Sequence, residues 1–239
     1  MSAAVPESGT RRDTVWSALV GQRHVVDTLS RAVAGQGMTH AWLFTGPPGS
    51  GRSNAALAFA AALQCPDGGC GHCHTCQTAL AGTHPDVSVT RSETSVLYID
   101  DMRDLVHRSA LSPVEKRWQV MVIEDADRLG ERTGNTLLKA IEEPTPKTVW
   151  LLCAPTLEDV LPTIRSRCRN VSLATPTAEE VARFLVERDG VPDSIAAFAA
   201  RASQGHIGRA RALARENMTE FNATPLMALE SMMVTLRIR

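Results

Sequence analysis

The chain has 239 residues, 44% hydrophobic and 21% charged, with a formal net charge of −1. That balance predicts a soluble globular protein of one large domain, or one large and one small, and excludes bulk electrostatic attraction to DNA or anionic membranes. No run approaches the roughly 18–20 apolar residues needed to cross a bilayer, so no membrane partner is expected. Residues 1–14, "MSAAVPESGTRRDT", lack the apolar core of a signal peptide and read as a flexible leader. A cytoplasmic location follows, in which the six cysteines serve as thiols or metal ligands rather than as disulfides.

Helical periodicity opens the folded part. In "HVVDTLSRAVAG" the apolar residues Val25, Val26, Leu29 and Val33 share one face. "HAWLFTG" reads as a buried strand running into a Gly-rich turn, and "SNAALAFAAALQC" as an Ala-rich helix. The cysteine-rich insert "CPDGGCGHCHTC", residues 65–76, comes next, followed by the strand "DVSVT" and the helix "IDDMRDLVHRSAL". The clearest strand is in "WQVMVIEDAD", an apolar run that ends in acids. A helix "GNTLLKAIEEP" is stopped by Pro144, the strand "KTVWLLCA" follows, and "VLPTIRSRCRNVSL" closes the unit. Alternating strands and helices predict an α/β domain over 15–175, a parallel sheet with helices on both faces. After Pro176, "TAEEVARFLVERDG", "DSIAAFAARASQG" and "HIGRARALAREN" predict three short helices, a small helical domain over 176–216. Residues 217–239 form a tail without a readable pattern.

Three stretches carry chemistry. The first is a phosphate-binding loop, Gly46, Pro47, Pro48, Gly49, Ser50, Gly51, Arg52 and Ser53, set between a strand and a helix as such a loop requires. Its backbone N–H groups would wrap an anion, the helix N-terminus would add a favourable dipole, and the Ser53 hydroxyl would bind Mg²⁺. Arg52 stands where a lysine is usual; it keeps the charge, but its bulkier fork does not replace a compact ammonium, which predicts weakened ATP binding. Glu124 and Asp125, ending the next strand, read as a decayed magnesium site, the alternative being two solvated acids. The usual order is Asp then Glu, and small misplacements of such groups are costly in rate.

The second stretch holds Cys65, Cys70, Cys73 and Cys76, whose C-x-x-C spacings suit a closed four-thiolate structural zinc site, with an iron–sulfur cluster as the second reading. His72, His74 and His84 read as bystanders and Cys153 as a core residue. The third stretch is "RSRC", in which Arg165, Arg167 and Arg169 flank or precede Cys168. Such a run is either a solvated face or an arginine presented to a neighbour's nucleotide.

Together these stretches resemble the clamp-loader branch of the AAA+ ATPases across Leu19 to Glu216. "LVGQ" looks like the box that opens the nucleotide-binding domain, and "HAWLFTGPPGSGRS", the four-cysteine insert, "LSPVEKRWQVMVIEDADRL", "GNTLLKAIEEP" and "TIRSRC" come in that family's order. The resemblance implies a role in DNA replication, in the loader that opens the ring-shaped sliding clamp for bacterial DNA polymerase III. Motor members of the branch, of the gamma/tau kind, carry Lys in the loop, the Asp-Glu order, a polar sensor residue and a lid arginine. This chain has Arg52, Glu124-Asp125, Ala154-Pro155 and Gly208, with Arg209 one residue on. The departures match the delta-prime type of member, which implies poor hydrolysis and a trans arginine finger at Arg167. Implied partners are gamma/tau and delta subunits, the sliding clamp and primed DNA, with Arg108 and Lys116 as surface charges able to touch phosphates. The family's third, collar domain is expected to be missing. An active motor remains the alternative.

Overall fold

The computed structural model describes residues 14–91 and 96–219. Residues 1–13 of the expected leader and 220–239 of the expected tail lie outside the described residues. Thr14 caps a short 3-10 turn, Val15–Ala18, and three helices cover one face of the sheet: α1 (Arg23–Val33), α2 (Arg52–Gln64) and α3 (His74–Leu80). The opposite face carries α4 (Ile99–Ser109), α5 (Glu131–Glu142) and α6 (Pro162–Arg165). Two further helices follow, α7 (Ala178–Asp189) and α8 (Asp193–Ser203), and residues 207–219 are helical, here α9.

Five parallel strands, β1 (Ala41–Thr45), β2 (Val87–Thr90), β3 (Gln119–Ile123), β4 (Thr148–Ala154) and β5 (Arg169–Ser172), lie in the order β2-β3-β4-β1-β5. The expected sheet with helices on both faces is therefore present. Strands β1, β3 and β4 are buried at every position, as the centre of a doubly covered sheet demands. Their side chains alternate between two cores. Trp42, Phe44, Val120, Val122, Val149 and Leu151 point to the first; Leu43, Met121, Ile123, Trp150 and Leu152 point to the second.

Composition explains the position of α2. Its residues 55–64 are all buried, because a run of alanines lets the helix lie against the sheet while α1 and α3 cover its other sides. The Trp42 and Phe59 rings meet edge to face at 5.2 Å where α2 crosses β1. The insert runs into a helix, α3, that the sequence reading did not contain. Cys73 caps its N-terminus by accepting from the Cys76 amide, a role for a cysteine that apolar periodicity does not reveal.

A third core cluster joins α7, α8 and α9 through Val181, Leu185, Ala196, Ala199 and Ala210, with Val20 reaching in from the segment before α1. Gln22 is buried and uses its whole amide here. Its Nε2 donates to the Ala174 carbonyl at 2.7 Å, and its Oε1 accepts from the Ala174 amide at 3.2 Å. No helix among the described residues is long and apolar enough to cross a membrane.

Candidate functional site

Register brings the loop and the acids to one edge. Thr45 pairs with Ala154 and Ile123 with Leu152, so β1, β4 and β3 end side by side, with β4 between the other two. The first residues beyond these ends line the carboxyl edge of the sheet, where open α/β folds bind ligands.

The loop turns sharply after β1. The Gly46 amide donates to the Pro155 carbonyl at 3.1 Å, and the Ser50 amide to that of Pro47 at 3.0 Å. Gly51, with φ of +92°, caps α2 without a side-chain acceptor, which leaves the first amides of that helix open toward an anion. Ser50 Oγ is buried with no hydrogen-bond partner, the kind of orphaned group that a bound phosphate would satisfy. These features fit a nucleotide. Two others oppose it. Arg52 folds back and donates through Nη1 to the Gly46 carbonyl, turning its guanidinium onto the loop itself. His206, just ahead of α9, lies on Gly49, where a Cβ would come within 2.5 Å of the ring. Between loop and C-terminal helices remains a cavity of about 280 Å³, lined among others by Arg52, Ser53, Asn54, His206, Gly208 and Arg211. Arg211 is already engaged, bidentate on Asp189 at 2.6 and 2.7 Å and 4.9 Å from the Phe184 ring.

The acids beyond β3 are also engaged. Glu124 is largely buried and lies 3.0 Å from Arg91 Nε, a charge contact rather than an aligned hydrogen bond. Asp125 begins the short 3-10 turn Ala126–Arg128 and lies 3.7 Å from Arg128 Nη1. Cys153, in β4 between loop and acids, feels them all. Burial pushes its thiol up, Glu124 and Asp125 push it further, and Arg52 opposes them. Sequence reasoning missed Arg91 and His206, each a lone polar residue far along the chain from its partner. The β2–β3 register is the signal for Arg91, since the Glu124 amide donates to the Thr90 carbonyl at 3.0 Å.

Helix α6 and the edge strand β5 flank the "RSRC" turn. Ile164 and Cys168 anchor it in the second core; burial pushes the Cys168 thiol up to about 12, which leaves it an inert packing group. The three arginines differ. Arg169 is exposed but held against the fold, donating to the Gly37 carbonyl at 2.6 Å and lying 4.9 Å from the Trp42 ring. Arg165 makes a long contact of 3.5 Å to the Leu157 carbonyl. Arg167 stays at the surface, donating to the Thr163 carbonyl at 2.6 Å and to Ser166 Oγ at 3.2 Å, and pairing through Nη2 with Glu142. Arg108 shares a cleft beside β2 with Asp101 and Asp104, acids that offset its pull on phosphates. Lys116 sits in the turn before β3 at a φ of +58°.

The four insert cysteines converge. Their Sγ atoms all lie within 4.8 Å of one another, with Cys65 to Cys70 at 3.7 Å and Cys65 to Cys73 at 3.8 Å. A tetrahedral ion with Zn–S bonds of about 2.3 Å sets its ligands about 3.8 Å apart, so the spacing fits a bound metal. Burial would raise the Cys65 thiol, but the backbone N–H groups of Cys70, Gly69 and Asp67 outweigh it and hold the group down to about 6. Burial first of all pushes Cys73 and Cys76 up. Arg117 donates to the carbonyls of Leu63 and Cys65 at 3.2 and 3.1 Å, tying the first ligand to the entry of β3. The histidines stay outside the cluster. His72 Nδ1 lies 2.9 Å from the Cys70 carbonyl, and buried His84 accepts at Nδ1 from the Asp86 amide at 3.1 Å.

A family model described as "DNA polymerase III, delta subunit" matches residues 21–177, well over half of the chain. The chain belongs to this family, within the clamp-loader branch of the AAA+ proteins. Curated relatives include DNA polymerase III subunit delta' of Pseudomonas aeruginosa, 36% identical over 64% of this chain and 48% of the relative. Subunit gamma/tau of Mycobacterium tuberculosis (strain ATCC 25618 / H37Rv) is 31% identical over 81% of this chain and 35% of its own length. The chain thus spans about half of the delta' relative and about a third of the gamma/tau one. Among solved structures, the RuvB Holliday junction branch migration motor of Thermotoga maritima superposes with a TM-score of 0.59 at 21% identity, covering 86% of this chain and 64% of RuvB. A DNA polymerase III gamma subunit-related protein from the same organism gives a TM-score of 0.52 at 21% identity, over 75% of this chain and 57% of that one. At such identities the likeness concerns the fold alone.

Proposed function

We propose that this protein is a delta-prime-like subunit of the DNA polymerase III clamp loader, acting in the cytoplasm. In this reading its own ATPase site is degenerate, and it supplies Arg167 in trans to the nucleotide of a neighbouring gamma/tau motor while the sliding clamp is loaded onto primed DNA. The delta subunit would be its other neighbour. The contrast between two arginines carries the proposal: Arg52 is turned onto its own loop, whereas Arg167 is held at the surface by contacts that a phosphate can replace. A guanidinium arriving from outside stabilises the charge that develops on a transferring phosphoryl group. Residues 15–175 form the nucleotide-binding domain and 176–216 the lid of this assignment. Replacing Arg167 by Ala in a reconstituted loader tests it: motor turnover falls while this chain stays folded, and unchanged turnover would overturn the role.

A motor of the gamma/tau kind is the second reading. It draws on the 31% identity to gamma/tau, the intact glycine cradle and the orphaned Ser50 hydroxyl. Tight ATP binding with phosphate release by the isolated chain would favour it. The metal at Cys65, Cys70, Cys73 and Cys76 is proposed to be structural zinc, because four thiolates close the coordination sphere. Elemental analysis should find about one zinc per chain, and its removal by a chelator should lower the melting temperature. Iron with a visible absorption band would contradict that choice.

A further inference from the structure

Glu142 is the last residue of α5, at the end of a helix where the backbone dipole disfavours a carboxylate. Its counter-charge is Arg167 Nη2. The two are carried on elements held in fixed relation. At Gly134 of α5, an added methyl group would collide with the Leu161 side chain and come within 3.3 Å of Ile164, so α5 and α6 pack at close range. Leu137, Ile141 and Ile164 lie in the same buried core beneath. The guanidinium therefore meets acceptors from two directions: the Thr163 carbonyl and Ser166 Oγ from its own turn, and the Glu142 carboxylate from the neighbouring helix.

Arg167 is 36% exposed and Glu142 43%. An ion pair this wet contributes little to stability and is readily exchanged. A guanidinium also has five N–H donors in a planar fork, so the contacts made here leave donors free for phosphate oxygens. The pair is built to orient the side chain rather than to lock it.

We propose that Glu142 is the positioning residue for Arg167, holding the guanidinium at the surface of the α6–β5 turn so that a neighbour's phosphoryl group meets a donor already aimed. This rests on the trans-arginine reading above. Such aiming acts on the chemical step, because the side chain does not have to be ordered when the transition state forms.

The test is steady-state ATP turnover of the reconstituted loader carrying the wild-type chain, Glu142→Ala, Glu142→Gln, Arg167→Ala, or Glu142→Ala with Arg167→Ala. Glu142→Ala is expected to lower kcat by about tenfold with little change in the KM for ATP. Glu142→Gln, which keeps an acceptor at the same reach, is expected to recover most of the loss. The double variant is expected to match Arg167→Ala alone. Wild-type or raised turnover with Glu142→Ala, beside impaired Arg167→Ala, would overturn the positioning role and leave the trans arginine standing. A further loss from Glu142→Ala in the Arg167→Ala background would assign Glu142 a structural role instead. Full turnover with Arg167→Ala would remove both readings. Melting curves of each variant confirm that the chain remains folded.

Discussion

The β1–α2 loop and the α6–β5 turn each carry an arginine beside a serine, and they use it in opposite ways. At the loop, the Arg52 guanidinium bonds the Gly46 carbonyl, and His206 lies over Gly49. At the turn, buried Ile164 and partly buried Cys168 hold the backbone while Arg167 stays outside, paired with a half-exposed carboxylate. The same side chain is a plug in one place and a presented group in the other. Each arginine finds a backbone carbonyl of its own segment, so what differs is the surroundings: Arg52 is half-buried against its loop, whereas Arg167 is exposed and shared with a carboxylate from a neighbouring helix. A cation that serves another molecule must remain exchangeable, and only the second region meets that condition.

The sharpest way to break this comparison is at the turn. Arg167→Ala is expected to slow ATP turnover at the motor site facing this chain by on the order of a hundredfold or more, without a shift in this chain's melting temperature. At the loop, Gly49→Ala places a methyl group against His206 at a φ of +85° and is expected to cost roughly 2 kcal/mol, read from denaturant unfolding. Adding His206→Ala should return part of that loss, since the two changes share one contact. The smallest expected effect sharpens the comparison from the nucleotide side. Arg52→Lys replaces the fork with a compact ammonium, which releases the Gly46 carbonyl, and is expected to raise ATP affinity of the isolated chain by about tenfold in calorimetry. Equal or weaker binding would mean that Arg52 does not close the loop.

Much of this arrangement is written in local pattern. The apolar runs ending in "FTG" and "VIED" place the loop and the acids at strand ends, and the parallel register then brings them to one edge. The cysteine spacing announces the thiol cluster, able to hold a metal ion, because its four members lie close together in the chain. What the sequence does not display are contacts made by lone polar residues across long separations. Arg91 reaches Glu124 only through the β2–β3 register, and His206 reaches Gly49 only once the helices after β5 fold back over the loop. Glu142 is visible as part of "IEEP", but nothing in that string says which of its two acids faces Arg167. Helix α3 was hidden for another reason: its buried residues are Cys76 and Ala79, too few to set an apolar period.

The most direct measurement compares two substitutions in one assay: ATP turnover of the reconstituted loader with Arg167→Ala and, separately, with Arg52→Ala in this chain. The account predicts a large loss for Arg167→Ala and wild-type turnover for Arg52→Ala. A loss with Arg52→Ala and none with Arg167→Ala would contradict it, making this chain a motor with a working site of its own.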